Sequence, residues 1–237
     1  VGKFDISEAA ARSSVRVSKG KARGSARITV VVSVKNYGNR ARLALRGSFG
    51  KSRVKFRPTV IKRGRSGQLV GTATVRRPSL WSPVYPALYA LRVSAPGVTW
   101  NSKSGIRKLA VSRKGILSIN GLPAQLRGVS FHESDPVTGA AWSPAQREAN
   151  NQLFVKLGVN MIRTHYPMAP QQMEWADAHG VFTWVQAPVF RPRNTQLRKS
   201  VYRRNAVAYT REMVKRYREY VSVLTWSLSN EAVPSDT

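Results

Sequence analysis

Hydrophobic and polar residues alternate through the first part of the chain, a pattern typical of strands that bury one face. The clearest stretch covers residues 26–35 (ARITVVVSVK), and the Asn-Tyr-Gly-Asn sequence that follows predicts a turn. Shorter stretches of the same kind, separated by Gly and Pro, lie at 41–48, 54–57, 69–75 and 89–93. Turns at such intervals predict a small antiparallel β-sandwich over residues 1–112, within which residues 1–24 stay unassigned.

After residue 112 the pattern changes to helices that alternate with apolar strands. Ser143 and Gln146 form a capping box at the start of the first helix, and Gly residues end the first two helices. The predicted helices cover 143–157, 170–179 and 201–220, and the predicted strands cover 125–131, 159–164, 181–186 and 221–229. Four strands joined by three helices predict a parallel α/β fold over 113–237, either an open sheet or a (β/α) barrel. No Gly-rich phosphate loop follows a strand, which argues against a nucleotide-binding sheet.

The composition is that of a folded but very basic protein. Of the 237 residues 42% are hydrophobic, while 40 basic and 11 acidic residues give a net charge of +29. Residues 1–112 carry +22 of this charge, which favours a solvated basic surface that attracts nucleic acid only non-specifically, because no nucleic-acid motif organises it. No run is long enough to span a membrane, no signal peptide is visible, and the absence of Cys excludes disulfides and thiolate sites.

Polar residues lie where the predicted parallel strands end. His132 and Glu133 follow the first strand, Arg163 and His165 the second, Gln186 the third, and the Asn-Glu pair at 230–231 the fourth. Because the carboxyl ends of parallel strands share one edge, these side chains are expected to converge. Such a set could bind a polyhydroxylated ring and donate a proton to it.

Each of these residues also has a structural interpretation. A lone His is more often hydrogen-bonded beneath a loop, Arg163 could serve a salt bridge, and Trp226 is more often a core residue than a sugar platform. The three His residues fit no zinc pattern, so no metal is predicted.

Several separated motifs occur in order along the chain: GILSINGLPAQLRGV at 115–129, FHE at 131–133, LGVNMIRTHYP at 157–167 and WSLSNE at 226–231. Together they resemble the catalytic barrel of glycoside hydrolase family 2, the β-galactosidase, β-glucuronidase and β-mannosidase group. Upstream, residues 80–89 resemble the end of the family's immunoglobulin-like β-sandwich, and residues 105–107 its hinge into the barrel. The resemblance covers roughly residues 25–233 and implies a retaining β-glycosidase that acts on a carbohydrate substrate without a cofactor.

The resemblance also implies roles for matching positions. Glu231 is similar to the family's general acid/base, and an enclosed pocket is expected to raise the pKa of its carboxyl group. Asn230 is similar to the residue that binds the sugar 2-hydroxyl, and Arg163 to the one that supports the nucleophile. The implied substrate-binding residues are Asn230, His132, His165, Arg163 and Trp226.

The chain also departs from the family pattern. Many members carry Glu where this chain has Gln186, and the Arg-Thr-His-Tyr-Pro motif at 163–167 is one residue shorter than the common form. A complete barrel takes about 250 residues, so 113–237 is expected to be its first half, truncated after about strand four, with the nucleophile Glu beyond Thr237. Such a chain is expected to be inactive alone, and nothing in it selects a sugar or an oligomeric state.

One alternative stays open: a non-catalytic protein whose basic sandwich binds acidic polysaccharide or nucleic acid, with a degenerate barrel remnant. Titration with heparin, DNA and neutral oligosaccharides at two salt concentrations separates the two functions, because only polyanion binding weakens steeply with salt.

Overall fold

A computed structural model of the chain describes residues 2–232. These residues divide into two compact units. The first contains the chain up to Ala124 together with Glu219–Val221, and the second contains Gln125–Arg218 and the residues from Ser222 onward. Within the described range, no helix combines the length and apolar composition needed to cross a membrane.

The first unit consists of antiparallel strands. In chain order they are β1 (Phe4–Ser14), β2 (Val17–Ser18), β3 (Lys21–Ala22), β4 (Ala26–Asn36), β5 (Ala41–Leu43), β6 (Arg46–Phe49), β7 (Ser52–Arg53), β8 (Lys55–Phe56), β9 (Thr59–Ile61), β10 (Ser66–Val75), β11 (Leu88–Ala95), β12 (Val98–Gly105), β13 (Leu109–Val111), β14 (Leu117–Ile119) and β15 (Leu122–Pro123). Two four-stranded sheets dominate, with strand orders β1-β4-β10-β8 and β12-β11-β6-β7. Of three smaller sheets, one pairs β2 with β3, one pairs β5 with β9, and one contains three strands in the order β13-β14-β15. The first unit extends to Ala124 and includes β14 and β15. The domain boundary after residue 112 stays a prediction.

Strand β4 shows how the alternating pattern produces this unit. Ile28, Val30 and Val32 are fully buried, whereas the residues between them are not. Strand β10 pairs with β4 so that Leu69 lies opposite Val32, and both belong to the buried apolar core. Each such side chain stabilises the unit by about 1.5–3 kcal/mol through burial. The strands predicted at 26–35 and 69–75 are therefore confirmed.

Two regions of this unit differ from the sequence prediction. The unassigned N-terminal region contains β1, which pairs with β4 along its length. A register shift between Ile6 and Glu8 interrupts its alternation, so that Ile6 and Ala9, three positions apart, both belong to the apolar core. The strand predicted at 41–48 is instead two strands, because β5 pairs with β9 while β6 pairs with β11.

The second unit alternates strands and helices. Its elements are β16 (Gly128–Ser130), α1 (Pro144–Lys156), β17 (Met161–Arg163), α2 (Pro170–His179), β18 (Phe182–Gln186), α3 (Asn194–Arg198), α4 (Ser200–Tyr217) and β19 (Val223–Ser227). The strands form one parallel sheet in the order β16-β17-β18-β19. The predicted parallel α/β arrangement is confirmed, and α3 is a short helix that the sequence analysis did not predict.

Local sequence signals set the ends of these elements. Ser143 Oγ accepts a hydrogen bond from the Gln146 amide (3.2 Å), and the Ser143 amide donates to Gln146 Oε1 (2.8 Å), which completes the predicted capping box. Gly180 ends α2 in the left-handed conformation (φ 71°). Strand β16 is shorter than predicted, because the Asn160 side chain bonds the backbone of Gln125 and Arg127 where further strand pairing was expected.

Candidate active site

The carboxyl ends of the four parallel strands bring the predicted polar residues together. Arg163 ends β17 and Gln186 ends β18, while His132 and Asn230 lie two or three residues beyond β16 and β19. The strands run in the same direction, so all four positions lie at one edge of the sheet. The edge is held together by side-chain hydrogen bonds.

Arg163 is the centre of this network. Its Nη2 group donates to Gln186 Oε1 (2.7 Å) and Asn230 Oδ1 (2.6 Å), and its Nη1 lies 3.1 Å from His165 Nε2. The guanidinium carbon lies 5.2 Å from the centre of the Trp184 ring, a cation–π contact. The buried Nε of Arg163 has no hydrogen-bond partner among residues 2–232. One guanidinium thus connects three strand ends, while its Nε–H has no partner among the described residues.

The bonds to Arg163 decide which histidine nitrogens carry protons. A guanidinium only donates, so His165 Nε2 accepts and the proton of neutral His165 is on Nδ1. That Nδ1 lies 2.8 Å from His132 Nε2, which therefore accepts in turn and leaves the proton of His132 on its Nδ1. Burial, followed by the charges of Arg163 and His132, lowers the pKa of His165 and favours this neutral form. His132 is exposed and can offer its Nδ1–H to a ligand.

Glu231 lies next to this network, in a setting that the sequence did not predict. It is exposed, has a left-handed backbone (φ 48°), and accepts a hydrogen bond from Arg191 Nε. The hydrogen bond and charge of Arg191, with smaller effects of Asn230 and His165, lower the pKa of its carboxyl group. The expectation of a raised pKa is wrong for this arrangement, because the carboxylate has a cationic partner and little burial.

Arg191 is a site residue that sequence reasoning missed. The loop after β18 pairs with the loop after β19: the Asn230 amide donates to the Val189 carbonyl (2.8 Å), and the Arg191 amide donates to the Asn230 carbonyl (3.0 Å). This pairing brings Arg191 beside Glu231. Only the three-dimensional meeting of two loops creates the contact, so no sequence motif signals it.

Glu133 is an anchoring residue. It is only 5% exposed, Oε1 accepts from Arg147 Nε (3.1 Å), and Oε2 accepts from the Ala169 amide (3.1 Å). Its own amide donates to Tyr166 Oη at 2.6 Å, and burial is the main cause that raises the pKa of this tyrosine. Glu133 therefore fixes the loop that carries His132 against the starts of α1 and α2.

Trp226 is the predicted site residue that the structure does not bring into the network. It lies opposite Val185 in the β18–β19 register, whereas Ser227 lies opposite Gln186. Successive strand residues point to opposite faces, so Trp226 shares a face with Val185 and not with Gln186. Among the described residues, no group of three or more His, Asp and Glu side chains could hold a metal ion.

A parallel β/α unit with polar side chains gathered at the carboxyl ends of its strands has the arrangement of a (β/α) enzyme domain. Residues 110–236 match the family model described as glycosyl hydrolases family 2, TIM barrel domain. The chain belongs to glycosyl hydrolase family 2.

Known proteins similar to this chain are glycosidases. A β-galactosidase of Vibrio cholerae is 30% identical over 170 residues, which cover 65% of this chain and 16% of that protein. A β-galacturonidase of Eisenbergiella tayi, solved with bound galacturonate, superposes with a TM-score of 0.84 at 21% identity, covering 95% of this chain and 40% of that one. A Bacteroides uniformis β-glucuronidase superposes with a TM-score of 0.79 at 23% identity, covering 92% of this chain and 27% of that one. The chain thus spans less than half of each relative, and the two solved structures show a shared fold.

Proposed function

We propose that this chain carries the acid/base part of a retaining β-glycosidase active site. The observation that carries the proposal is the Arg163 network, which joins Asn230, Gln186 and His165 beside the Glu231 carboxylate. On this proposal the first unit is the family's immunoglobulin-like sandwich, and the second is the first half of its (β/α)8 barrel.

The free hydrogen-bonding groups of the site suit a sugar ring. Asn230 directs its amide oxygen to Arg163, so its two-hydrogen NH₂ group can donate both to the neighbouring Glu231 carboxylate and to a hydroxyl oxygen. His132 offers its Nδ1–H in the same way, and Glu231 supplies an acceptor. We expect Asn230, His132, His165 and Arg163 to bind and orient the sugar, directly or through one another. Trp226, on the other face of the sheet, is left out of this set.

Glu231 is proposed as the general acid/base. A retaining glycosidase protonates the leaving oxygen with one carboxylic acid and attacks the anomeric carbon with a second carboxylate about 5–5.5 Å away. In the present arrangement Arg191 keeps Glu231 ionised, which is the form needed to activate water in the second step. Protonation for the first step requires that Glu231 leaves Arg191. An anionic nucleophile nearby would favour this change by raising the pKa of Glu231.

The second carboxylate is proposed to come from outside this chain. Both carboxylate oxygens of Glu133 are already bonded, to Arg147 and to the Ala169 amide. The buried Nε of Arg163 is a donor without a partner among residues 2–232, and buried donors in folded proteins nearly always have one. A carboxylate bound there would match the role that the family resemblance implies for Arg163.

The test uses the longest polypeptide encoded in frame with this chain. We expect it to hydrolyse a β-galactoside or β-glucuronide with retention of anomeric configuration, observed by NMR of the first-formed sugar. Glu231→Gln should abolish hydrolysis of alkyl glycosides, whose poor leaving groups need an acid, and should affect dinitrophenyl glycosides less in the first step. Glu174→Gln, at an exposed position of α2, is the matched control and should leave both rates unchanged.

Two results would contradict the proposal. An inverted product would exclude the retaining mechanism. Equal losses on alkyl and dinitrophenyl substrates after Glu231→Gln, measured in the glycosylation step, would exclude an acid role for this residue.

A further inference from the structure

A basic groove lies in the first compact unit, at the end of β1 and the start of β4. It has a volume of about 450 Å³ and is lined by Arg16, Arg27, Arg107 and Lys108, together with three serines and Val15. The antiparallel register places Ser14 opposite Arg27, and Ser13 Oγ is 3.5 Å from the carbonyl oxygen of Arg107. Its volume is in the range of small-ligand sites.

The charge of this groove is not balanced by acids in its wall. No Asp or Glu lines it, and the acids of the first unit are Asp5, Glu8 and Glu219. Glu8 precedes the groove residue Ser13 by five positions on β1, about 17 Å along an extended strand. Arg16, Arg27 and Lys108 are exposed and form no ion pair with any described residue. An anionic ligand would therefore meet three cations, Arg16, Arg27 and Lys108, that form no ion pair with the described acids.

The side chains that line the groove suit some classes of polyanion better than others. Guanidinium groups bind carboxylate and sulfate through paired hydrogen bonds, and serine hydroxyls can both donate to and accept from sugar hydroxyls. No aromatic side chain lines the groove, so it lacks the stacking platform that single-stranded nucleic acids use. We propose that this groove is a binding site for an acidic saccharide that carries carboxylate or sulfate groups.

The site is separate from the proposed glycosidase function. All its lining residues belong to the first unit, whereas Glu231 and the Arg163 network belong to the second. Acidic-saccharide binding should therefore persist in the Glu231→Gln chain. Failure of one proposal does not imply failure of the other.

The experiment measures binding of four probes to the 237-residue chain by calorimetry at 50 and at about 200 mM NaCl. The probes are tetragalacturonate, a sulfated heparin tetrasaccharide, an oligothymidylate of equal charge and neutral cellotetraose. We expect one or both acidic saccharides to bind more tightly than the other two, and the pair of acidic probes tells carboxylate from sulfate recognition.

A double variant, Arg27→Gln with Lys108→Gln, tests the location. We expect it to raise the Kd for the preferred acidic saccharide by about tenfold or more, because two charge-assisted contacts are lost. The matched control is Arg46→Gln with Arg53→Gln, which removes the same charge from exposed positions on β6 and β7 that do not line the groove. It should change the Kd by less than about twofold, since distant charges are screened. Unchanged amide spectra of β1 and β4 verify that each variant is folded.

Three outcomes would overturn the assignment. Equal weakening by the two double variants would mean general charge attraction rather than a site. Tighter binding of oligothymidylate than of either acidic saccharide would identify a nucleic-acid surface. Cellotetraose binding as tightly as the acidic saccharides would show that their charge is irrelevant.

Discussion

The buried ion pair between Glu133 and Arg147 offers a direct test of how the loop carrying His132 is held. The side chains are only 7% and 13% exposed, and the two groups are 3.1 Å apart. Removing one partner leaves the other charge buried without compensation. Removing one partner of a buried ion pair lowers the free energy of unfolding by about 3–5 kcal/mol.

Glu133→Gln and Arg147→Met should lower the free energy of unfolding by different amounts. Glu133→Gln keeps a side-chain oxygen that can accept from the Ala169 amide, so we expect it to destabilise the second unit by about 3 kcal/mol. Arg147→Met leaves an unpaired buried carboxylate and should cost about 3–5 kcal/mol. The double variant removes both charges and should cost less than the sum, with a coupling energy of about 2 kcal/mol or more.

The assay is urea unfolding followed by amide resonances of α1 and β17, because the two compact units of the chain need not unfold together. Glu212→Gln is the control: its partner Lys215 is 3.7 Å away, and the side chains are 69% and 50% exposed. Its effect should stay below about 0.5 kcal/mol. Additive losses below about 0.5 kcal/mol at positions 133 and 147 would show that this ion pair does not hold the loop.

The remaining predictions concern the charges of the site and the core beneath it. Arg191→Gln should raise the pKa of Glu231 toward its ordinary range, since the hydrogen bond and charge of Arg191 lower it; the carboxyl resonance of Glu231 measures this, and an unchanged titration would contradict it. Because that pKa is lowered, the contact with Arg191 is complete above the ordinary Glu range and is lost as the pH falls through the lowered value. Burial is the main cause that lowers the pKa of His165, and the charge of Arg163 is the second, so Arg163→Gln should raise this pKa. Ring-proton chemical shifts of His165 followed against pH measure it, and a lower pKa in the variant would argue against the contact. Phe182→Ala should destabilise the second unit by about 3–5 kcal/mol in urea, because the ring is fully buried, and a loss below about 1 kcal/mol would be inconsistent with that burial.

Regular periodicity made much of the fold predictable from the sequence. The alternation in β4 and the capping box at Ser143 are local signals, and both elements lie where they were expected. Strand β1 lacked such a signal, because a register shift near Ile6 and a run of small Ala residues hide its alternation. Its pairing with β4 is a long-range interaction that β1 alone does not encode.

Some contacts of the candidate site could likewise be predicted from the sequence, and others could not. His132, Arg163 and Asn230 could be predicted to converge, because parallel topology requires strand ends to meet. The partner of Glu231 could not, since Arg191 reaches it through the pairing of two irregular loops. Glu133 was expected with the other strand-end residues, but its burial against Arg147 and the Ala169 amide depends on the packing of α1 and α2, which no local sequence signal shows.

Arg163 organises the strand ends into one hydrogen-bonded site. Long-range ¹H–¹⁵N spectra of the chain at neutral pH test it most directly, because they report which ring nitrogen of each histidine carries the proton. We expect neutral His165 to carry its proton on Nδ1, with a coupling across the hydrogen bond from this nitrogen to His132 Nε2. A proton on Nε2 of neutral His165 would be incompatible with the Arg163 contact, because the guanidinium can only donate.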